Sequence, residues 1–210
     1  MTSINEPTVL LVRHGRTAFN SAAEERIRGH SDIPISFEGK EGVEKTAKFL
    51  KDVGYPFKRI LSSPMQRGIM TANLLSADAK VIPNNGLTPW DLGKLTGEPV
   101  MKIKEDLDWY QRHPDVEVPN GESYRNFYDR WDRMLEKMFS YARSNPMEVV
   151  LGVVHSRNLL ALPSIIGSKD IGSVPVKGGP GPESVTKLTL QDDTWVAETV
   201  WDIDNIKETK

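Results

Sequence analysis

The sequence predicts an α/β fold, a three-layer sandwich in which helices flank a mostly parallel central sheet. Short apolar runs alternate with segments of helical periodicity for most of the chain, which is the pattern of such a sheet. The 210 residues suffice for one domain with a well-buried core, and no internal repeat divides them. We therefore expect a single domain over 1–210.

The N-terminal part opens with the run Val9–Val12, which is entirely apolar and predicts a buried strand. A helix is expected over 36–54, with Gly54 as its C-terminal stop. The segments 57–63 and 80–83 predict the second and third strands.

Between these strands, a helix is expected over 63–76. Ser63 is predicted to cap it, Pro64 suits its first position, and Gln66 completes a capping box. Its buried stripe is predicted to comprise Met65, Ile69, Ala72 and Leu75.

A loop-rich insertion occupies about 84–120 and carries four prolines, with one helix expected at about 99–110. Long irregular segments within compact domains are usually functional, so this one is expected to select the substrate.

The clearest helix spans 121–144 and is followed by a buried strand over 147–155. Ser156 is predicted to cap the next helix, and the segments 184–190 and 194–201 predict a closing hairpin. The core stripe of the 121–144 helix consists of Phe127, Trp131, Met134, Leu135 and Met138.

Composition excludes several classes of function. With 27 Lys+Arg and 29 Asp+Glu, the net charge of −2 gives no reason to expect a nucleic-acid or membrane partner. The absence of cysteine excludes disulfides, thiolate nucleophiles and cysteine-ligated metals. The N-terminus lacks a signal-peptide pattern, so a cytoplasmic protein is expected. The oligomeric state stays open, with a homodimer as one option.

Basic side chains follow three of the predicted strands. Arg13 and His14 follow the first strand, Arg67 lies in the first turn after the second, and His155 ends a later one. These places meet at the carboxyl edge of an open parallel sheet. Guanidinium groups near helix N-termini bind phosphate, so the pattern predicts an anion site. Considered singly, Arg67 also suits a solvated helix position and His155 a satisfied core position.

The histidines could alternatively bind a metal ion. The four are His14, His30, His113 and His155, and no two are spaced as in His-x-x-x-His. Arg13 would also repel a cation beside His14. We expect no metal and no cofactor. A serine triad is disfavoured, since no Gly-x-Ser-x-Gly elbow is present.

Five segments, in order along the chain, resemble the histidine phosphatase superfamily, the phosphoglycerate mutase-like proteins of branch 1. They are VRHGRTAFN, RIRGHSDIPISFEG, ILSSPMQRGIMTA, PNGESYRNFYDRW and VVLGVVHS. Each is weak alone, but the ordered set is specific and implies the phosphoglycerate mutase-like sandwich.

The resemblance implies that His14 attacks phosphorus and forms a phosphohistidine. Arg13, Arg67 and a protonated His155 would hold the phosphoryl oxygens.

The resemblance also supplies substrate-binding expectations. Asn20 would donate an amide hydrogen bond, although it also suits a helix cap. Gly15 would let the backbone turn tightly beside the ligand. Glu122 and Ser123 are candidate substrate contacts, although both also suit a helix start.

The sequence departs from the family at the general acid. Pro89 occupies the position where the family usually carries glutamate, and proline cannot transfer a proton. Asp91 lies two residues on and would face the same way in an extended segment, so it is the preferred replacement, although it also suits a turn. Glu98 and Glu122 are the reserves.

These observations predict a metal-independent phosphomonoester hydrolase that acts on a small phosphorylated substrate. One alternative is a mutase, but the insertion offers only Arg112 to clamp a second anionic group. The other alternative, supported by Pro89, is a catalytically weakened module that binds phosphorylated ligands.

Overall fold

The computed structural model describes residues 6–21, 25–76, 78–167, 170–175 and 178–204. The strands are β1 (Thr8–Arg13), β2 (Arg59–Ser62), β3 (Lys80–Pro83), β4 (Val150–Val154), β5 (Val185–Gln191) and β6 (Thr194–Trp201). The α-helices are α1 (Ala18–Ser21), α2 (Phe37–Val53), α3 (Gln66–Leu75), α4 (Lys104–Arg112), α5 (Tyr124–Ser144) and α6 (Ser156–Ile166). Short 3-10 turns occur at Asn85–Leu87, Gly93–Leu95 and Ile171–Ser173.

The six strands form one sheet in the order β3-β2-β4-β1-β5-β6. The pairs β3–β2, β2–β4 and β4–β1 are parallel, whereas β5 and β6 run antiparallel at the other side. The predicted, mostly parallel α/β sheet is therefore confirmed.

Strand β1 is apolar on both faces because helices cover both. Leu10 and Val12 pack into a core shared with α2 and α3. Val9 and Leu11 point the other way, into a core built around α5 and α6. The predicted stripe of α5 is buried along its length. Alternation along β1 thus produces the three layers.

The register of the sheet brings three strand ends to one edge. Arg13, the last residue of β1, pairs with Val154 of β4, and Ser62 of β2 pairs with Val153. The loops that follow these strands, which carry His14 and His155, therefore begin at the same edge of the sheet.

Helix α3 begins later than predicted. Its N-cap is Met65, which makes no side-chain capping bond, so Ser63 does not cap the helix and Pro64 is not its first residue. The backbone N–H of Ser63 instead donates to Val153 O at 3.2 Å, which keeps the chain attached to the sheet. Met65 and Ile69 are only half-buried. The fully buried positions are Arg67, Gly68, Thr71, Ala72 and Leu75.

Two further helix starts differ from the prediction. Helix α4 begins at Lys104 instead of about residue 99, because Pro99 and Val100 pair with the chain around Arg26. The N-cap of α6 is His155 and not Ser156. No described helix is both long and apolar enough to cross a membrane.

Two serine caps give a stability prediction. Ser36 Oγ accepts from Gly39 N–H and Ser123 Oγ accepts from Asn126 N–H, both at 3.1 Å. We expect Ser36→Ala and Ser123→Ala each to lower the free energy of unfolding by about 1 kcal/mol in urea titrations. Ser156→Ala is the matched control, because Ser156 is not the cap of α6. A loss at Ser156 as large as at the two caps would contradict the assignment.

Candidate active site

The segment after β1 holds His14 in a fixed orientation. Its backbone N–H donates to Val154 O at 3.0 Å, and its side chain is buried. His14 Nδ1 lies 2.8 Å from the Gly15 carbonyl oxygen, which accepts hydrogen bonds only. Nδ1 therefore carries the proton and donates it. The lone pair is left on Nε2, the nitrogen suited to nucleophilic attack.

Arg67 is held by the loop that precedes α2. Its Nη1 donates to Ser31 O at 2.7 Å and its Nη2 to Gly29 O at 2.8 Å. Gly29 has a φ of +43°, and a Cβ there would lie 2.5 Å from Thr96 Oγ1. Only glycine fits this turn. Part of the RIRGHSDIPISFEG segment thus serves to seat the arginine of α3.

His155 lies beside His14 at the start of α6. The two ring centroids are 4.9 Å apart, and Arg67 Nε donates to His155 Nδ1 at 3.3 Å. His155 Nε2 is buried and has no hydrogen-bond partner. The structure therefore brings together His14, Arg13, Arg67 and His155, as predicted from the strand ends.

Arg28 is a further member of this cluster that the sequence reasoning missed. Its side chain is only 12% exposed, and its buried Nη1 has no hydrogen-bond partner. Its positive charge lowers the pKa of His14, His155, Arg13 and Arg67 alike. The signal in the sequence was the second arginine in RIRG, within a segment already singled out for its resemblance.

Burial and like charge set the protonation states. Burial, followed by the charge of Arg67, holds the pKa of both His14 and His155 well below the usual value. Burial, followed by the charge of Arg28, lowers the pKa of Arg13 and of Arg67 to about 10, so both stay protonated at neutral pH. The protein groups alone therefore keep both imidazoles neutral beside fixed cations.

These side chains line a cavity of about 570 Å³. Its basic side comprises Arg13, His14, Arg26, Arg28, Arg67, His155 and Arg157. The wall given by the predicted insertion is apolar and consists of Pro89, Trp90, Leu92, Val100 and Leu107. The Arg157 guanidinium carbon lies 5.8 Å from the centre of the Trp90 ring. The cavity lining thus combines several cationic side chains with apolar ones from the insertion.

Two predicted binding residues have clear local roles. Asn20 Oδ1 reaches back from within α1 and accepts from the N–H of Thr17, the residue before the helix, at 3.1 Å, and Asn20 is not among the residues that line the cavity. Gly15 does not adopt a left-handed turn. A Cβ on Gly15 would lie 2.8 Å from Val43 Cγ2 and 3.0 Å from Gly39 O, so close packing against α2 requires the glycine.

Asp91 is not brought into the cavity, although Trp90 and Leu92 on either side line it. Asp91 Oδ1 accepts from Gly93 N–H at 3.1 Å, and Oδ2 lies 3.4 Å from His30 Nδ1. The segment turns there instead of staying extended, so the expectation that Asp91 faces the same way as Pro89 is not met.

Glu122 and Ser123 also lie outside the cavity lining. Glu122 Oε1 accepts from Asp91 N–H at 3.0 Å and from Arg130 Nη2 at 2.7 Å, so it fastens the insertion to α5. Ser123 caps α5. These contacts support a structural role for Glu122 and Ser123 at the start of α5 and do not support a role in substrate binding.

Glu183 supports the loop of His14 from behind. Its carboxylate accepts the Arg16 N–H, and its carbonyl accepts from Thr46 Oγ1 at 2.7 Å. Burial raises the pKa of Glu183 to about 7. No motif or periodicity in the sequence singles out Glu183.

The described residues contain no cluster of three or more histidine, cysteine, aspartate or glutamate side chains suited to a metal ion. The groups around His14 are mostly cationic, which suits an anion instead.

Comparison with known proteins agrees with this geometry. The family model described as histidine phosphatase superfamily (branch 1) matches residues 9–203. An Arabidopsis thaliana protein called phosphoglycerate mutase-like protein 4 is 26% identical over 96% of this chain and 87% of its own.

Two solved structures have the same fold. A phosphoglycerate mutase from Bacillus anthracis matches with a TM-score of 0.78 at 25% identity, covering 97% of this chain and 96% of its own. A mycobacterial glucosyl-3-phosphoglycerate phosphatase matches with a TM-score of 0.76 at 22% identity, covering 93% and 98%.

The low histidine pKa values predict an acid-sensitive fold. Below pH about 6.5 the unfolded chain binds protons that buried His14 and His155 do not, so stability falls as the pH drops. Each histidine contributes up to about 1.4 kcal/mol per pH unit, and Glu183, whose pKa is raised to about 7, offsets up to the same amount in the opposite direction. Urea titrations between about pH 7.5 and 5 should show the net loss, and a His14→Gln/His155→Gln variant should abolish or reverse it. His113→Gln, at an exposed position, is the control. An unchanged slope in the double variant would contradict the pKa assignment.

The position of Arg28 predicts a contribution to anion binding. We expect Arg28→Gln to weaken the binding of inorganic phosphate by about 10- to 100-fold in calorimetry, because a charged hydrogen bond is lost. Arg112→Gln is the control, since Arg112 is exposed and pairs with Asp108. Equal phosphate affinity in Arg28→Gln and the parent, with an unchanged melting temperature, would exclude Arg28 from the anion site.

Proposed function

The chain belongs to the histidine phosphatase superfamily, branch 1, and we propose that it is a metal-independent phosphomonoester hydrolase with His14 as its nucleophile. The observation that carries the proposal is the orientation of His14. Its Nδ1 proton is committed to the Gly15 carbonyl, so the Nε2 lone pair is available among buried cations. A neutral, oriented imidazole beside an anion site suits attack on phosphorus.

In the proposed first step, His14 Nε2 forms a bond to phosphorus as the bond to the leaving oxygen breaks. Arg13, Arg28 and Arg67 offset the charge on the phosphoryl oxygens. The dianionic phosphoryl group adds the negative charge that the protein does not supply near His155. Because His155 Nδ1 accepts from Arg67, the neutral ring carries its proton on Nε2, and this N–H donates to a phosphoryl oxygen.

In the second step, water attacks the phosphohistidine and the P–N bond breaks. Inorganic phosphate leaves and His14 returns to its neutral form. The substrate is a small phosphomonoester whose leaving group lies against the apolar wall that includes Trp90 and Leu107.

Hydrolysis is favoured over phosphoryl transfer to a second substrate by the insertion. Its cavity wall is apolar, and its single arginine, Arg112, lies outside the cavity and pairs with Asp108. A mutase remains the second candidate for one specific reason. Arg26, Arg28 and Arg157 line the cavity although none belongs to the insertion. These arginines could bind a second anionic group even though the insertion supplies no cation to the cavity.

The test measures phosphate release from p-nitrophenyl phosphate and from 3-phosphoglycerate, with and without EDTA. We expect turnover that EDTA does not change and a fall of about 10³-fold or more in kcat for His14→Ala. His113→Ala is the matched control, because this histidine lies outside the cavity and stacks on Trp109.

Each other outcome identifies a rival. Interconversion of phosphoglycerates that outpaces phosphate release would identify a mutase. Binding of phosphate without turnover of any ester would identify a binding module. Activity that EDTA abolishes, or that His14→Ala retains, would contradict the proposed chemistry.

A further inference from the structure

An alkoxide leaves phosphorus readily only when an acid protonates it. The sequence alone does not identify the residue that donates this proton. Each carboxylate considered from the sequence is engaged away from the cavity. Asp91 contacts Gly93 and His30, Glu122 binds Arg130, and Glu98 pairs with Lys102 at 2.7 Å on the surface. None of the three lines the cavity.

Glu25 is the one carboxylate among the described residues that line the cavity. Its side chain is 41% exposed, and Oε1 lies 3.5 Å from Arg28 Nη2. Its negative charge raises the pKa of Arg13 and of Arg28, which places it within electrostatic reach of both.

The backbone of Glu25 and of the two residues after it is anchored. Val100 N–H donates to Glu25 O and Ile27 N–H donates to Glu98 O, both at 2.9 Å. Arg26 Nη1 adds a bond to Gly97 O at 2.9 Å. This short antiparallel pairing with the insertion fixes the position from which Glu25 enters the cavity.

On this geometry, we propose that Glu25 is the general acid and base of the reaction, in place of the glutamate that Pro89 replaces. The inference rests on the proposed phosphatase function. With Glu25 as the acid, no proton donor is needed from the 88–93 segment, which contributes only apolar side chains to the cavity lining.

Substrate binding supplies the change of charge that proton donation requires. Without an anion nearby, Glu25 lies beside Arg28 and within electrostatic reach of Arg13. A phosphoryl dianion engages those guanidinium groups and adds negative charge beside Glu25 while the leaving oxygen is in place.

The proton balance of the two steps is complete. As the His14–phosphorus bond forms and the ester P–O bond breaks, the Glu25 carboxyl gives its proton to the leaving oxygen, and an alcohol departs. In the second step the Glu25 carboxylate takes a proton from the attacking water as the P–N bond breaks. Glu25 ends protonated, as it began.

The test varies the leaving group. Glu25→Gln, Asp91→Asn and Glu98→Gln are compared with the parent on p-nitrophenyl phosphate and on glycerol 2-phosphate. The nitrophenolate leaves without a proton, whereas the alkoxide does not. We expect Glu25→Gln to lower kcat/KM for glycerol 2-phosphate by about 100-fold or more and to leave that for p-nitrophenyl phosphate little changed. Glu98→Gln is the matched control, and Asp91→Asn tests the rival acid.

Each outcome bears on one assignment. A selective loss in Asp91→Asn instead would overturn the inference in favour of Asp91. Equal loss on both esters in Glu25→Gln would indicate a structural role, and no loss on either would exclude Glu25. A parent that hydrolyses the nitrophenyl ester alone uses no acid and also contradicts the inference, whereas a parent inactive on both esters contradicts the phosphatase function itself.

Discussion

Burial of several guanidinium groups around one point is the most demanding feature of this fold. A buried charge without compensation costs several kcal/mol, and like charges add repulsion to that cost. Hydrogen bonds from the guanidinium groups to backbone carbonyl oxygens offset this cost. Arg67 is seated by the loop before α2, and Arg13 Nη1 donates to Pro180 O at 2.7 Å. The loops around the cavity therefore take their shape from the need to present oxygen atoms to arginines.

The same cations determine how the two imidazoles behave. Neutral histidines are compatible with three neighbouring guanidinium groups, whereas an imidazolium would add another buried positive charge. In the proposed mechanism, a bound phosphoryl dianion offsets the charge of the guanidinium groups and both rings stay neutral. His155 donates from Nε2, and His14 keeps its Nε2 lone pair for phosphorus.

Periodicity and strand ends were enough to predict the sandwich, the sheet edge and the meeting of Arg13, His14, Arg67 and His155. Predictions failed where long-range contacts outweigh local preference. Ser63 suits a helix cap by type, yet its N–H is taken by strand β4. Asp91 was placed by assuming an extended segment, whereas the chain turns toward Gly93. Arg28 and Glu25 were missed because no periodicity marks residues of an irregular loop.

The central position of β1 has a consequence for biosynthesis. This strand is synthesised well before β4 and β5, with which it pairs. Arg13 likewise awaits a carbonyl that lies 167 residues further along. An apolar segment must therefore stay unpaired until those later strands have been synthesised. Such nascent chains fold slowly and are prone to aggregate, so chaperone supply and elongation rate should govern the yield of active protein.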